Sequence, residues 1–295
     1  MPADLHAPPH TDVFDTLRTR SRARLQRGVS LGDGFSAAIW CNAHDATRYE
    51  RPSHHTVSLY LQGGFSTFRT GSPAQRGAPG RLCVMPAEHD SSWVVGSEQR
   101  FLHLYFEHER LAPLAVRLLD REPRELNLHE RTFFEDAEVA SPLAAMACLD
   151  WNDVDARLHA NALAHQVLTR LVQAHAGRPT VWTSRGGLAP ALRRRLAEHI
   201  DAHLSSPLTV GELAAQAALS EHHFAHMFRV SFGMAPHAWV LQRRLERARS
   251  MLCTTDAPLE HVAQACGFAG ASHLVNRFRA AHGVPPGRYR QAMRR

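Results

Sequence analysis

Two stretches near the C-terminus carry the same pattern of residues and decide the fold of that region. Residues 209–239 read TVGELAAQAALSEHHFAHMFRVSFGMAPHAW, and residues 258–289 read PLEHVAQACGFAGASHLVNRFRAAHGVPPGRY. Apolar positions correspond in pairs, at an offset of 49 residues before the central turn and 50 after it: Leu213 with Val262, Phe228 with Phe278, and Trp239 with Tyr289. Because small residues are also kept in the turn, the pattern predicts two copies of a helix-turn-helix.

The residues around the repeat predict how its helices begin and how the two copies are joined. Thr209 and Glu212 have the spacing of a capping box, in which each side chain bonds the other residue's backbone amide. Pro258 takes the corresponding place in the second copy, where a proline removes no helical hydrogen bond. Residues 236–252 are rich in arginine and predict one long helix between the copies.

Charge is distributed unevenly along the chain. The 295 residues contain 34 basic side chains, all of them arginine, and the net charge is +6. Residues 189–295 hold 14 arginines and 7 acids, a net charge of +7, whereas residues 1–188 have a net charge of −1. This asymmetry predicts a polyanion as the partner of the C-terminal part.

Upstream of the repeat, the chain changes from a strand pattern to a helical one. Residues 31–106 form short runs of β-branched and aromatic residues between glycines and prolines, and the runs at 55–61 and 101–106 alternate with a period of two, which predicts a small antiparallel barrel or sandwich. A long helix is predicted from Asn152 or Asp153 to Gly177. Its apolar stripe (Ala160, Leu163, Ala164, Val167, Leu168, Leu171) is compatible both with packing on its own domain and with a dimer seam.

Composition argues against several other classes of protein. The five cysteines form no CxxC pair, so neither a zinc ribbon nor a disulfide framework is indicated. The N-terminus lacks the apolar run of a signal peptide, and the longest apolar run, 143–149, is too short to span a bilayer. We therefore expect a cytoplasmic protein with no membrane partner.

Residues 190–293 resemble the DNA-binding domain of the AraC/XylS family of bacterial transcription regulators. The resemblance rests on Arg244-Leu-Glu-Arg-Ala-Arg249, on the turn from Ala263 to Phe268, on Phe278-Arg279, and on Gly283-Val-Pro-Pro286 with Tyr289-Arg290. Residues 80–89 and 101–106 resemble, more weakly, the family's cupin-like effector domain.

This resemblance implies an α+β fold in four segments. Residues 1–30 would form an N-terminal arm, and residues 31–176 a cupin-like small β-barrel with a helical dimerisation element. A linker at 177–188 would lead to an all-α DNA-binding domain at 189–295, with two helix-turn-helix motifs.

The resemblance also implies roles for residues on the second helix of each motif, which enters the major groove of double-stranded DNA. The expected base contacts are His222, Ala225, His226, Ala271, Ser272, Val275 and Asn276. The expected backbone contacts are Ser220, Arg229, Arg243, Arg277, Arg279 and Arg290. For Arg243, Arg277, Arg279 and Arg290, structural ion pairs are the alternative reading. Since protonated imidazole is positively charged, we expect site-specific binding to strengthen as the solution becomes more acidic.

For the barrel, the inward-facing residues suggest a pocket for a small-molecule effector: Ser58, Tyr60, His89, Trp93, His103 and Tyr105. The alternative is a filled barrel that serves only dimerisation. No cofactor and no metal is predicted, because the histidines at 54, 55 and 89 lack the His-x-His and Glu pattern of cupin enzymes, and those at 222, 223 and 226 have no companion carboxylate. We expect a non-catalytic homodimer that contacts RNA polymerase if it is an activator; a cupin-type enzyme fused to a DNA-binding domain is the alternative.

Overall fold

The structure is a computed structural model that describes residues 12–177 and 186–294. These residues divide into two compact units. The first unit comprises the described residues up to Arg110 together with Asn127–Gly177, and the second comprises Leu111–Leu126 and the described residues that follow Gly177. A sheet-rich first unit and a helical second unit agree with the predicted α+β class.

Antiparallel strands form the framework of the first unit. In chain order they are β1 (Arg24–Gly32), β2 (Phe35–Asn42), β3 (Asp45–Tyr49), β4 (His54–Gly63), β5 (Thr67–Arg69), β6 (Leu82–Met85), β7 (Ser91–Val95), β8 (Gln99–Glu107), β9 (Asn127–Leu128), β10 (Arg131–Phe134) and β11 (Ala176–Gly177). One sheet has the strand order β1-β2-β8-β4-β6-β10 and a second has the order β3-β7-β5, while β9 pairs with β11. Aromatic residues from both larger sheets meet in one core, among them Trp40, Tyr60, Trp93 and Tyr105.

Three helices complete this unit: α1 (Asp12–Thr19), α3 (Ala137–Cys148) and α4 (Val154–His175). Asp153 caps α4 by accepting a hydrogen bond from the amide of Ala156 at 3.0 Å, as the sequence predicted. Except for half-buried Leu163, the apolar stripe of α4 is buried, and α4 packs on α3 and on β1. The stripe therefore packs within its own unit, which is the first of the two alternatives; a dimer contact stays a prediction.

The predicted N-terminal arm differs from the structure. Val13, Phe14 and Leu17 of α1 are buried in the aromatic core, and β1 begins at Arg24. Because their apolar side chains complete that core, the residues from 12 onward belong to the first unit, and the boundary expected at residue 31 is wrong. Residues 1–11 of the arm, and residues 178–185 of the predicted linker, lie outside the described residues.

Eight helices are described in the second unit. They are α2 (Ala112–Leu119), α5 (Pro190–Ala202), α6 (Val210–Gln216), α7 (Glu221–Phe232), α8 (Pro236–Thr254), α9 (Leu259–Ala265), α10 (Ala271–His282) and α11 (Pro286–Met293). The pairs α6–α7 and α9–α10 are the two predicted helix-turn-helix motifs, and α8 is the predicted connector. Residues 111–126 were expected in the first domain, but Val116 of α2 joins the apolar core of the second unit.

Candidate DNA-binding and effector sites

Local hydrogen bonds fix where the helices of the first motif begin. The amide of Glu212 donates to Oγ1 of Thr209 at 3.2 Å, and the amide of Thr209 donates to Oε2 of Glu212 at 2.9 Å, so the predicted capping box is present. The backbone bond from Thr209 is the main cause that lowers the pKa of Glu212. Ser220 caps α7 by accepting from the amide of His223 at 3.4 Å.

The second helix of each motif, α7 or α10, is here called its recognition helix. Burial of one face fixes how each recognition helix is turned about its own axis. Phe224 and Phe228 of α7 are completely buried, and so are Leu274 and Phe278 of α10. In a helix, residues three and four apart share a face, so the residues between these anchors point the other way. Each recognition helix therefore has an outer face that is open to a partner.

The residues predicted to contact bases all lie on these outer faces. His222 and His226 are exposed on α7, and Ser272 and Asn276 are exposed on α10. The shorter side chains of this set are half-buried: Ala225, Ala271 and Val275. Four polar side chains thus provide hydrogen-bonding groups beyond the helix surface.

Four of the six predicted backbone contacts are also exposed: Ser220, Arg229, Arg277 and Arg279. The side chains of Arg229 and Arg279 make no hydrogen bond or ion pair with any other residue in the described ranges, so their guanidinium groups are available. Nε of Arg277 lies 3.5 Å from Nε2 of His273.

The other two predicted backbone contacts are wrong, because their side chains are engaged inside the unit. Arg243 is only 13 % exposed; it donates to both carboxylate oxygens of Asp201, at 2.7 and 2.9 Å, and pairs with Glu246. Arg290 is half-buried and donates to the carbonyl of Ala257 at 2.6 Å. For both, the structural ion-pair or packing alternative holds.

Two residues that sequence reasoning did not single out join the halves of the second unit. Arg244 on α8 donates to the carbonyls of Leu204 at 3.0 Å and of Ser206 at 2.8 Å, just after α5. Gly267, in the turn between α9 and α10, has φ +75°, and a Cβ there would lie 2.0 Å from the carbonyl oxygen of Leu204. The second turn therefore packs directly against the end of α5, which ties the two motifs together.

A cavity lies inside the first unit, between the two larger sheets. Its residues are uncharged at neutral pH: Leu17, Asn42, Thr47, Tyr49, Ser58, Tyr60, Thr67, Cys83, Met85, Trp93, Val95, Gln99, Phe101 and His103. Burial lowers the pKa of His103 to about 3, so its ring is neutral. The room inside is about 30 Å³, which is enough for about two water molecules.

Four of the six predicted effector residues line this cavity, namely Ser58, Tyr60, Trp93 and His103. Tyr105 lies behind the wall, where its hydroxyl accepts a hydrogen bond from Trp40 at 3.0 Å and contacts Nδ1 of His103 at 3.1 Å. The prediction for His89 is wrong. It lies in the exposed turn after β6, where Glu88 has φ +61°, and its ring contacts the carbonyl of Ala87.

Among the cavity residues, Asn42 has a buried side-chain oxygen that lacks a hydrogen-bond donor. Its side chain is buried, and its Nδ2 donates to Asp45 at 2.9 Å, which fixes the orientation of the amide. Its Oδ1 is buried and accepts no hydrogen bond from any residue that the structure describes. A buried carbonyl without a donor costs about 1–3 kcal/mol, so a donor in the cavity would be stabilised at this atom.

Two further properties bear on the site. Within residues 12–177 and 186–294, no group of three or more His, Cys, Asp or Glu side chains gathers where a metal ion would bind. None of the helices in the same ranges has the length and apolar character needed to cross a membrane.

Comparisons with known proteins identify a domain within the second unit. A family model described as "Helix-turn-helix domain" matches residues 213–292. The probable transcriptional regulator LumQ of Photobacterium leiognathi is 36% identical over 91 residues, which are 31% of this chain and 37% of LumQ. The regulatory protein PocR of Salmonella typhimurium is 34% identical over 98 residues, 33% of this chain and 32% of PocR. The matches thus span about a third of these relatives.

Among solved structures, the DNA-binding domain of AdpA in complex with a target DNA is 34% identical over 34% of this chain and 90% of that chain, with a TM-score of 0.33. The family match at residues 213–292 covers most of the two motifs that the repeat predicted. Residues 213–292 therefore match the family of helix-turn-helix domains, and over about a third of its length the chain is similar to proteins named as transcription regulators.

Proposed function

We propose that the protein is a sequence-specific DNA-binding transcription regulator whose first unit responds to a small molecule. The main support for DNA binding is the pair of recognition helices, α7 and α10. Their outer faces are exposed and polar, and residues 189–295 have a net positive charge. The packing of Gly267 and Arg244 against the end of α5 supports a constant distance between the two helices.

In this proposal α7 and α10 occupy successive major grooves, about 34 Å apart. Asn276 forms a two-pronged contact with adenine, because its amide matches the donor and acceptor of that base. Arg229 and Arg279 bind phosphates, which strengthens binding without selecting a sequence. Charge then provides attraction to any DNA, and the largely uncharged outer faces select the site.

The experiment begins with full-length protein and a pool of random-sequence duplexes, from which the preferred site is selected. Asn276→Ala is expected to weaken binding to that site by about 1–3 kcal/mol and to relax one base position. Arg279→Ala is the matched control, expected to weaken selected and random duplexes alike and to reduce the salt dependence by about one charge. Equal losses on both duplexes for Asn276→Ala would contradict its role in reading the sequence.

The effector in this proposal is an uncharged molecule that carries an N–H or O–H group. An uncharged lining offers no counter-ion for a charged ligand, and burying an unpaired charge is costly. Asn42 Oδ1 supplies an acceptor for the ligand's donor. Because about 30 Å³ is less than such a molecule needs, binding displaces a flexible lining side chain such as Leu17 or Met85.

Thermal unfolding of the full-length protein tests this part. Uncharged small molecules with an N–H or O–H are expected to raise the unfolding temperature of the first unit, whereas their charged analogues are not. For a molecule that does so, methylation of its donor or the Asn42→Ala substitution should remove the shift. A shift that survives both changes would refute the role of Asn42.

Nothing in the comparisons supports the alternative of a cupin-type enzyme, since the relatives are named as regulators. The homodimer and the contact with RNA polymerase stay predictions.

A further inference from the structure

A segment from the middle of the chain belongs to the second unit. Residues 111–126, here called the strap, follow β8 and precede β9 in sequence, yet they group with the helices of the second unit. The strap contains α2 and a short 3-10 turn, Pro123–Glu125. Val116 of α2 is buried in the same apolar core as Phe224, Phe228 and Phe232 of α7.

A buried acid attaches the strap to the last turn of α7. Glu122 is only 4 % exposed, and its Oε1 accepts a hydrogen bond from the hydroxyl of Ser231 at 2.7 Å. The same hydroxyl accepts from the amide of Leu188 at 2.7 Å, just before α5. Arg124 donates to Oε2 of Glu122 and thereby compensates its charge. One carboxylate thus connects the strap to α7 and, through Ser231, to the start of α5.

Further polar contacts reach α5 and α8, the helices on either side of the first motif in the chain. Asp120 accepts hydrogen bonds from Arg193 at 3.1 Å and from Arg194 at 3.3 Å, both on α5. Arg193 is a buried arginine, and Asp120 provides a negative charge next to its guanidinium group. Arg117 pairs with Glu246 of α8 at 2.8 Å. The strap therefore contacts the three helices α5, α7 and α8.

The strap is also closely packed against the end of α7. Gly233, which follows α7, has φ +78°, and a Cβ at this position would lie 2.6 Å from Cβ of Ala112 and 3.2 Å from Cγ of Pro123. This contact restricts any tilt of α7 towards the strap. Polar bonds and packing act on the same helix end, at Ser231 and Gly233.

We propose that the strap is a positioning element for the first recognition helix, with Glu122 as its main positioning residue. The proposal rests on the DNA-binding function proposed above and adds a component that lies outside the matched domain at residues 213–292. Glu122 does not touch DNA; it acts through Ser231, by holding the C-terminal end of α7 so that the exposed N-terminal half meets the groove at a constant angle. α10 instead packs on α9 and α11.

Peptide-resolved hydrogen exchange of the full-length protein tests the proposal without DNA. Glu122→Ala is expected to raise exchange in residues 221–232 by about tenfold or more, because it removes a buried charge-assisted hydrogen bond, and to leave residues 271–282 unchanged. Asp120→Ala is the second variant; because the partners of Asp120, Arg193 and Arg194, lie on α5, its effect is expected first in residues 190–202. The control is Glu125→Ala, which removes an acid from the same strap; the side chain of Glu125 makes no hydrogen bond or ion pair with any residue that the structure describes.

A second readout separates positioning from general stability. With the selected duplex, Glu122→Ala is expected to lose base preference in the half-site read by α7 and to retain it in the half-site read by α10. Unchanged exchange in α7, equal increases in α7 and α10, or the same effect from Glu125→Ala would each overturn the proposal. If the wild type selects no sequence, the DNA-binding function fails, while the exchange comparison still decides whether the strap holds α7.

Discussion

Replacing Gly267 by alanine tests whether the two motifs are held together by the contact between the second turn and the end of α5. Two costs add at this position. Alanine at φ +75° is strained by about 1–2 kcal/mol. Its Cβ would also lie 2.0 Å from the carbonyl oxygen of Leu204, and relieving such an overlap in a packed region costs about 1–3 kcal/mol more. We expect Gly267→Ala to destabilise the second unit by about 2–5 kcal/mol.

Gly283 provides a matched control. Its φ is also +75°, but nothing lies within 4 Å of the position that a Cβ would occupy. Gly283→Ala therefore carries the backbone strain alone, about 1–2 kcal/mol. The difference between the two variants isolates the steric contact with Leu204.

The assay is hydrogen exchange of full-length protein in a series of urea concentrations, because peptides from the second unit then report its stability separately from that of the first. Gly267→Ala should lower the urea midpoint of residues 258–283 clearly more than Gly283→Ala does. Selected DNA sites should also show a less constant spacing between the two half-sites for Gly267→Ala. Equal midpoints for the two variants would refute the argument that the turn packs on α5.

Three further predictions concern local energetics. Ala218 occupies the position equivalent to Gly267 with φ +54°, so Ala218→Gly should raise the urea midpoint of the first motif by relieving strain, by about 0.5–1 kcal/mol after the entropy of glycine is subtracted; a lower midpoint would contradict the strain. Burial lowers the folded-state pKa of His55 and of His103 to about 3, from 6.5, so the unfolded chain binds more protons between pH 3 and 6.5. The first unit should lose stability as the pH falls below about 6.5, by up to roughly 1.4 kcal/mol per pH unit for each histidine, and an unfolding temperature that is constant from pH 7 to pH 5 would count against this. Asp153→Ala removes the cap of α4 and should cost about 1 kcal/mol in thermal unfolding, whereas no change would show that the cap is dispensable.

Sequence reasoning succeeded where the signal is local and periodic. The repeat predicted both motifs, because buried positions three and four apart recur in Phe224 and Phe228 and again in Leu274 and Phe278. The capping box and the start of α4 were also predicted, since each depends on residues within one helical turn. The same periodicity placed His222 and Asn276 on outer faces.

It failed where the deciding partner is distant in sequence. Arg243 looks like a phosphate contact on an arginine-rich helix, but its partner Asp201 lies 42 residues earlier. The apolar residues of α2 are equally suited to either unit, and no local pattern says that Val116 packs on α7. In the first unit, strand alternation identified Ser58 and His103, yet it does not reveal a cavity acceptor such as Asn42.

The strap affects which residues must be transferred when the DNA-binding part is joined to another sensor domain. A transplant of residues 186–295 onto a foreign sensor would carry Arg193 without Asp120 and Ser231 without Glu122. The apolar core around α7 would then also lack Val116. We expect a working chimaera to need residues 111–126 as well, so two separate stretches of the chain would have to be transferred together.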